Sequence, residues 1–239
     1  MRAASTVMAA VAALALGAAA RADDDLFGEL AAAVEKARMH GAERYAFTLD
    51  FRDIGNEDQR RFRVRFDPRR PPGARWTAVD PPADEYGKAG KAAFARMAKN
   101  DDADDALIYE GLEQSLAGAR LLSADADKAV FSIPISDPDT PASVKEALSA
   151  TATLDRRKGH VSEVEIRSTK PFKPAAPVKI AAMRQLQRYE VLSPEGPALL
   201  VASESDAEGS AMFKSFASKA RLLYSEFEKV DAPPRAASK

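Results

Sequence analysis

The chain has 239 residues, 35 Lys and Arg against 36 Asp and Glu for a net charge of −1 at pH 7, two histidines and no cysteine. This near-neutral balance gives no electrostatic footprint for nucleic acid, and the missing thiols exclude disulfides, thiolate metal sites and a cysteine nucleophile. With His40 and His160 alone, neither an H-E-x-x-H motif nor a multi-histidine metal centre can form.

Residues 1–22 have the pattern of an export signal: Arg2 as the positive start, Val7 to Leu16 as the apolar stretch, and Ala20-Arg21-Ala22 as the small-residue cleavage site. The apolar stretch is shorter than the ~20 residues a spanning helix needs. Cleavage is expected before Asp23, leaving a mature chain with no transmembrane segment. Without cysteine there is no lipid anchor at the new N-terminus, so a soluble periplasmic protein is expected.

After the leader, Leu26, Phe27, Leu30, Ala31 and Val34 recur at spacings of three and four and predict an amphipathic helix over 26–38, stopped at His40-Gly41. The period then changes to two. Tyr45, Phe47, Leu49 and Phe51 alternate with polar residues, as do Phe62, Val64 and Phe66 with Arg61, Arg63 and Arg65, which predicts two half-buried strands. The intervening Ile54 to Asp58 holds turn formers, so the strands make a hairpin with Phe51 facing Phe62, Leu49 facing Val64 and Phe47 facing Phe66. Arg75 to Val79 is read as a third strand, and a helix over 84–98 carries Tyr86, Gly90, Ala93, Phe94 and Met97 on one stripe. The Asn100 to Asp105 run is expected as a solvated loop, with a short helix over 106–116.

Strands are then expected at 119–123, 129–135, 149–155, 160–169, 178–192, 199–216 and 220–230, with a short helix at 141–148 and a turn at Ala217-Ser218-Lys219. Short connections between successive strands make an antiparallel meander. Residues 231–239 carry too little apolar surface to fold and are read as a tail. The expected architecture is therefore a single α+β domain over 23–230: a curved antiparallel sheet with the helices near 26–38 and 84–98 on its concave face.

No catalytic constellation emerges. Asp101 to Asp105 resembles a calcium loop only in charge, since the sixth and twelfth positions are Ala106 and Leu112. Nucleophile-elbow, S-x-x-K and P-loop patterns are missing, and His160, following Gly159 in a turn, is expected to be exposed. No enzyme activity, metal or cofactor is predicted. Two residue sets stand out. The arginine row Arg61, Arg63 and Arg65, with Arg60, Arg69, Arg70 and Arg75 nearby, either binds phosphate groups or an acidic partner, or is a solvated outer face with Asp50 opposite Arg63. Phe47, Phe51, Phe62, Phe66 and Trp76 either fill a core or line a cavity.

Taken in order, an export signal, one amphipathic helix, an aromatic hairpin, an inserted helical segment and a long meander resemble the periplasmic lipoprotein-carrier superfamily. That resemblance implies an incomplete, curved sheet enclosing an apolar cavity for acyl chains, a lipid or acylated protein as ligand, and no chemistry. The candidate ligand-binding residues are then Phe47, Phe51, Phe62, Phe66 and Trp76 on the sheet side, and Tyr86, Phe94 and Met97 on the helix side. The rival expectation is an accessory or scaffold protein of envelope assembly with a filled core and a protein partner.

Overall fold

The computed structural model describes residues 25–54, 61–82, 88–109, 112–135, 140–212 and 214–232; the expected leader, Tyr86 and residues 233–239 lie outside them. The fold is α+β, a curved, open antiparallel sheet of 11 strands with a few helices. Strands β1 (Arg44–Asp53), β2 (Arg61–Phe66) and β3 (Trp76–Asp80) form one run. Strands β4 (Arg120–Ala124), β5 (Lys128–Ile133), β6 (Leu148–Asp155), β7 (His160–Ser168), β8 (Phe172–Ala175), β9 (Val178–Val191), β10 (Ala198–Ala211) and β11 (Lys214–Val230) form the other. The spatial order is β3-β2-β1-β11-β10-β9-β7-β6-β5-β4, with β8 beside β9 off this path. Because β11 returns to pair with β1, the two runs join within the sheet and leave β3 and β4 as its edges.

The β1–β2 register is the expected one: Phe51 faces Phe62, Leu49 faces Val64, and Phe47 faces Phe66. All of these but Phe51 are buried. Arg61, Arg63 and Arg65 point to the opposite face, as the period of two requires. Asp50 does lie opposite Arg63, yet its carboxylate pairs with Arg52 at 3.1 Å and Arg61 at 3.0 Å. Arg63 reaches instead across β1 to Glu226 of β11 at 2.5 Å, and Arg65 to Glu228 at 3.2 Å. The same face continues with Arg188 to Glu204, Arg184 to Glu165 and Lys219 to Asp206. Leu186, registered between Glu165 and Glu204 on this face, is 3% exposed, so the flanking arginine stems cover an apolar residue on the sheet's charged side. The arginine row is thus largely spent within the chain.

Since β3 and β4 are opposite edges, the connection between them has to cross the sheet. It carries α2 (Lys88–Met97), a 3-10 turn (Ala103–Leu107) and α3 (Leu112–Leu116). The crossing starts where Trp76 Nε1 donates to the Asn100 carbonyl at 2.9 Å and ends where Ser115 Oγ donates to the Pro134 carbonyl at 3.0 Å. Between these points the solvated acidic loop expected at 100–105 is overturned. Asp104 is wholly buried; its carboxylate accepts from Arg44 Nε at 2.7 Å, Arg44 Nη2 at 3.0 Å and the Tyr45 N–H at 3.1 Å. Asp102 bridges Arg44 at 3.1 Å and Arg75 at 3.2 Å, and Asp101 accepts from the Gly73 N–H at 2.7 Å. The physical reason is the apolar sequence around the acids. Ala103, Leu107, Ile108 and Tyr109 all bury, and the carboxylates they pull inward meet two arginines there. The single helix expected over 106–116 gives way to the 3-10 turn and α3.

Helix α1 (25–39) buries Leu26, Leu30, Ala33, Val34 and Ala37 along one side. Phe27 meets Phe131 of β5 at 5.3 Å, Arg156 of the β6–β7 turn grips Glu29 at 2.9 Å, and Tyr109 Oη donates to the Ala33 carbonyl at 3.1 Å. Where α1 runs into β1, Glu43 gathers His40, Tyr45 and Lys229. The short helix expected at 141–148 is α4 (Ala142–Lys145), and with β8 it supports a small second cluster of Val144, Ala147 and Phe172. The turn expected at 217–219 is overturned: those residues lie inside β11, and the chain reverses at Met212, whose φ is +50°.

Candidate functional site

Side chains directly opposite one another on paired strands share a face. One such row crosses eight strands: Phe131, Ala152, Val164, Gln187, Ser203, Leu222, Phe51 and Phe62. At either end it is core. Phe131, Ala152 and Val164 are buried on the β5–β7 side, and Phe62 on the β2 side. In the middle Ser203 is still buried, but Gln187, Leu222 and Phe51 beside it are half-exposed. The next row repeats the pattern. Ile133 and Ala150 are buried and Asp53 closes the far end, while Ile166, Gln185, Ser205 and Ala220 are half-exposed between them. The apolar face of the sheet is therefore packed on two flanks and open along β9, β10 and β11.

The opening has a small floor and a mixed lining. Ser203, Ser205, Ala207 and Ala220 provide the floor, Leu222, Phe51 and Ile166 the apolar walls, and Gln185 and Gln187 amide groups on one side. Its inner end is closed by Tyr189, opposite Leu200, and by Tyr224, opposite Leu49. Burial holds both phenols protonated, pushing Tyr224 up to about 12 and Tyr189 further.

The sheet-side residues predicted to bind ligand come together. Phe47 sits at 5.2 Å from Phe66, 5.8 Å from Trp76 and 5.6 Å from Tyr224, and Phe51 stacks on Phe62 at 4.6 Å. Phe47, Phe66 and Trp76 are buried against one another and Phe62 is buried beneath Phe51, which stands at the border of the trough. Phe94 and Met97 of α2 are half-buried and pack against the main hydrophobic core. Sequence reasoning missed Leu222, Ile166, Gln185, Gln187 and the serine floor. Their signal is present only in the register, since Gln185 and Gln187 alternate with arginines and leucine and give no period-two apolar pattern.

His160, expected in an exposed turn, is 3% exposed and belongs to β7. Its Nε2 lies 3.3 Å from the Tyr189 carbonyl, and its Nδ1 has no hydrogen-bond partner among the described residues. The turn it follows, 156–159, ends one residue earlier, and the strand draws the ring inside. Burial lowers its pKa below the ordinary histidine value. Among the described residues no cluster of three or more metal-binding side chains occurs, and no helix is long and apolar enough to cross a membrane.

No protein-family model, curated protein or solved structure matches the chain.

Proposed function

We propose that the protein is a non-enzymatic carrier that binds a hydrophobic or amphipathic ligand, a lipid or the acyl part of a lipoprotein, in the trough along β9, β10 and β11, with the helices closing the concave side. The observation that carries this reading is the interruption of burial in two adjacent register rows, buried at both ends and, around the buried Ser203, half-exposed between at Gln187, Leu222, Phe51, Ile166, Gln185, Ser205 and Ala220. An ordinary core fills such positions with large apolar residues. Here Ser205 opposite Ala220 keeps the space low. Phe51, Leu222 and Ile166 supply dispersion contact for methylenes, and Gln185 and Gln187 supply donors and acceptors for a carboxyl or ester head. Each methylene removed from water contributes about 0.8 kcal/mol, so roughly eight offset a sizeable association cost.

Periplasmic location and the likeness in element order to the lipoprotein-carrier superfamily agree with this reading and belong to the same proposal. Charge on the outer face argues less for a partner there, because Arg61, Arg63 and Arg65 are already ion-paired within the chain.

The test is titration of a fluorescent fatty acid into wild type and into Ala220→Phe, which raises the trough floor. Micromolar binding by wild type, lost in Ala220→Phe at unchanged thermal stability, is expected. No binding by wild type, or equal binding by both, refutes the trough and leaves the scaffold reading.

A further inference from the structure

Helix α2 and its exit, Lys88-Ala89-Gly90-Lys91-Ala92-Ala93-Phe94-Ala95-Arg96-Met97-Ala98-Lys99, contain four cations and no acid, in a chain of net charge −1. At 100° per residue the cations gather on one side and Gly90, Ala93, Phe94 and Met97 on the other. Exposure follows this division. Lys91, Arg96 and Lys99 are exposed, while Ala93, Phe94 and Met97 are half-buried against the main hydrophobic core. None of the three exposed cations has an ion-pair partner among the described residues, in contrast to the outer face of the sheet, where Arg61, Arg63, Arg65, Arg184 and Arg188 are all paired. Arg70, exposed on the turn that holds Asp101, extends the same basic surface, and among the described residues its guanidinium hydrogen-bonds to Thr77 alone. Among the described residues, the acids that follow the helix exit are already engaged: Asp102 by Arg44 and Arg75, Asp101 by the Gly73 N–H.

A basic, amphipathic helix whose exposed cations have no ion-pair partner among the described residues has the chemistry of a contact with an anionic surface. We infer that the face of α2 carrying Lys91, Arg96 and Lys99 docks on a bilayer bearing acidic lipid headgroups. The choice of a bilayer over an acidic protein rests on the carrier reading above. An acyl-bearing ligand leaves or enters a membrane, and α2 leads directly into the 3-10 turn that packs on β1 and β10, two strands that line the trough. The Asp102 and Asp104 ion pairs keep that turn fixed when α2 docks. Each lysine or arginine held near such a surface contributes about 1 kcal/mol, a factor of about five, so the three together contribute about a hundredfold.

The experiment is vesicle flotation of the mature chain at low ionic strength, with phosphatidylcholine alone and with about 30% phosphatidylglycerol added. Binding to the acidic vesicles only is expected, falling about a hundredfold in K91Q/R96Q/K99Q and lost near 1 M salt, where the screening length is about 3 Å. A control pair, K173Q/K179Q, removes two exposed cations from β8 and β9 and is expected to leave binding unchanged. Equal binding by the α2 triple variant, or no vesicle binding by wild type, overturns the inference. Retention on immobilised polyglutamate without vesicle binding overturns it in favour of an acidic protein partner. The fatty-acid titration of the triple variant is the separate readout: normal acyl binding with lost flotation separates the docking face from the trough, and flotation without acyl binding refutes the carrier and not the docking.

Discussion

Replacing Asp104 by alanine tests the central claim about how the segment crossing the sheet is held. The carboxylate has no exposed surface and accepts two hydrogen bonds from Arg44, itself 3% exposed, and one from the Tyr45 backbone. Alanine removes all three acceptor contacts and leaves the Tyr45 N–H and much of the guanidinium without them. Breaking a buried pair from one side costs about 3–5 kcal/mol. The lower end applies here, because Asp102 stays within 3.1 Å of the guanidinium. For a chain of this size about 3 kcal/mol corresponds to roughly 6–12 °C in Tm. Urea unfolding followed by circular dichroism measures the loss as a lower midpoint at unchanged slope. The double variant Arg44→Met/Asp104→Leu removes charge from both sides, and its cost is expected to fall well below the sum of the single changes. A loss under about 1 kcal/mol in Asp104→Ala, or strict additivity in the double variant, refutes the reasoning and returns 100–105 to the status of a solvated loop.

Two further outcomes follow from burial. Phe62→Ala, which empties a site 5% exposed and stacked on Phe51, is expected to cost about 3 kcal/mol or more, whereas Leu222→Ala in the half-exposed trough costs about 1 kcal/mol. Similar losses in the two, read by urea unfolding, contradict the division into packed flank and open floor. His160 is neutral in the fold, with its pKa depressed by burial, opposed in part by the hydrogen bond with the Tyr189 carbonyl and by Asp155, and lowered further by Lys158 of the turn and Lys36 of α1. Its contribution to stability is complete above the ordinary histidine value near 6.5 and is lost as pH falls below it. A pH series of midpoints between about 7.5 and 5 is expected to decline in wild type and to flatten in His160→Asn; identical slopes remove His160 as the cause.

How far the sequence discloses this molecule depends on whether one face of an element is purely apolar. In β1 and β2 it is, and the pairing of Phe47, Leu49 and Phe51 with Phe66, Val64 and Phe62 is readable because a slip of one residue would turn every aromatic ring into water. In β10 and β11 neither face is apolar over the distal half, so small and polar residues such as Ala217, Ser218 and Lys219 imitate a turn while the true reversal uses Met212, a residue with no turn preference. The acid run at 100–105 misleads for a related reason. Charge counts describe a segment's affinity for water, but burial is decided by what the neighbouring residues do, and Leu107, Ile108 and Tyr109 draw Asp104 onto an arginine more than fifty residues earlier in the chain.

The trough is hidden by the residues that line it. The proposed ligand site needs positions where packing is withheld, and those positions carry Ser, Ala and Gln, which by composition belong on the solvent side. On β9 the alternation places Gln185 and Gln187 with the core-face residues Val164 and Ile166, while Leu186 goes to the charged face and is buried there under arginine stems. Hydrophobicity read along that strand assigns the two faces the wrong way round. Only the cross-strand register, a long-range property set by β7 and β10 together, restores them, so an interior polar floor of this kind is expected to escape any reading that treats one strand at a time.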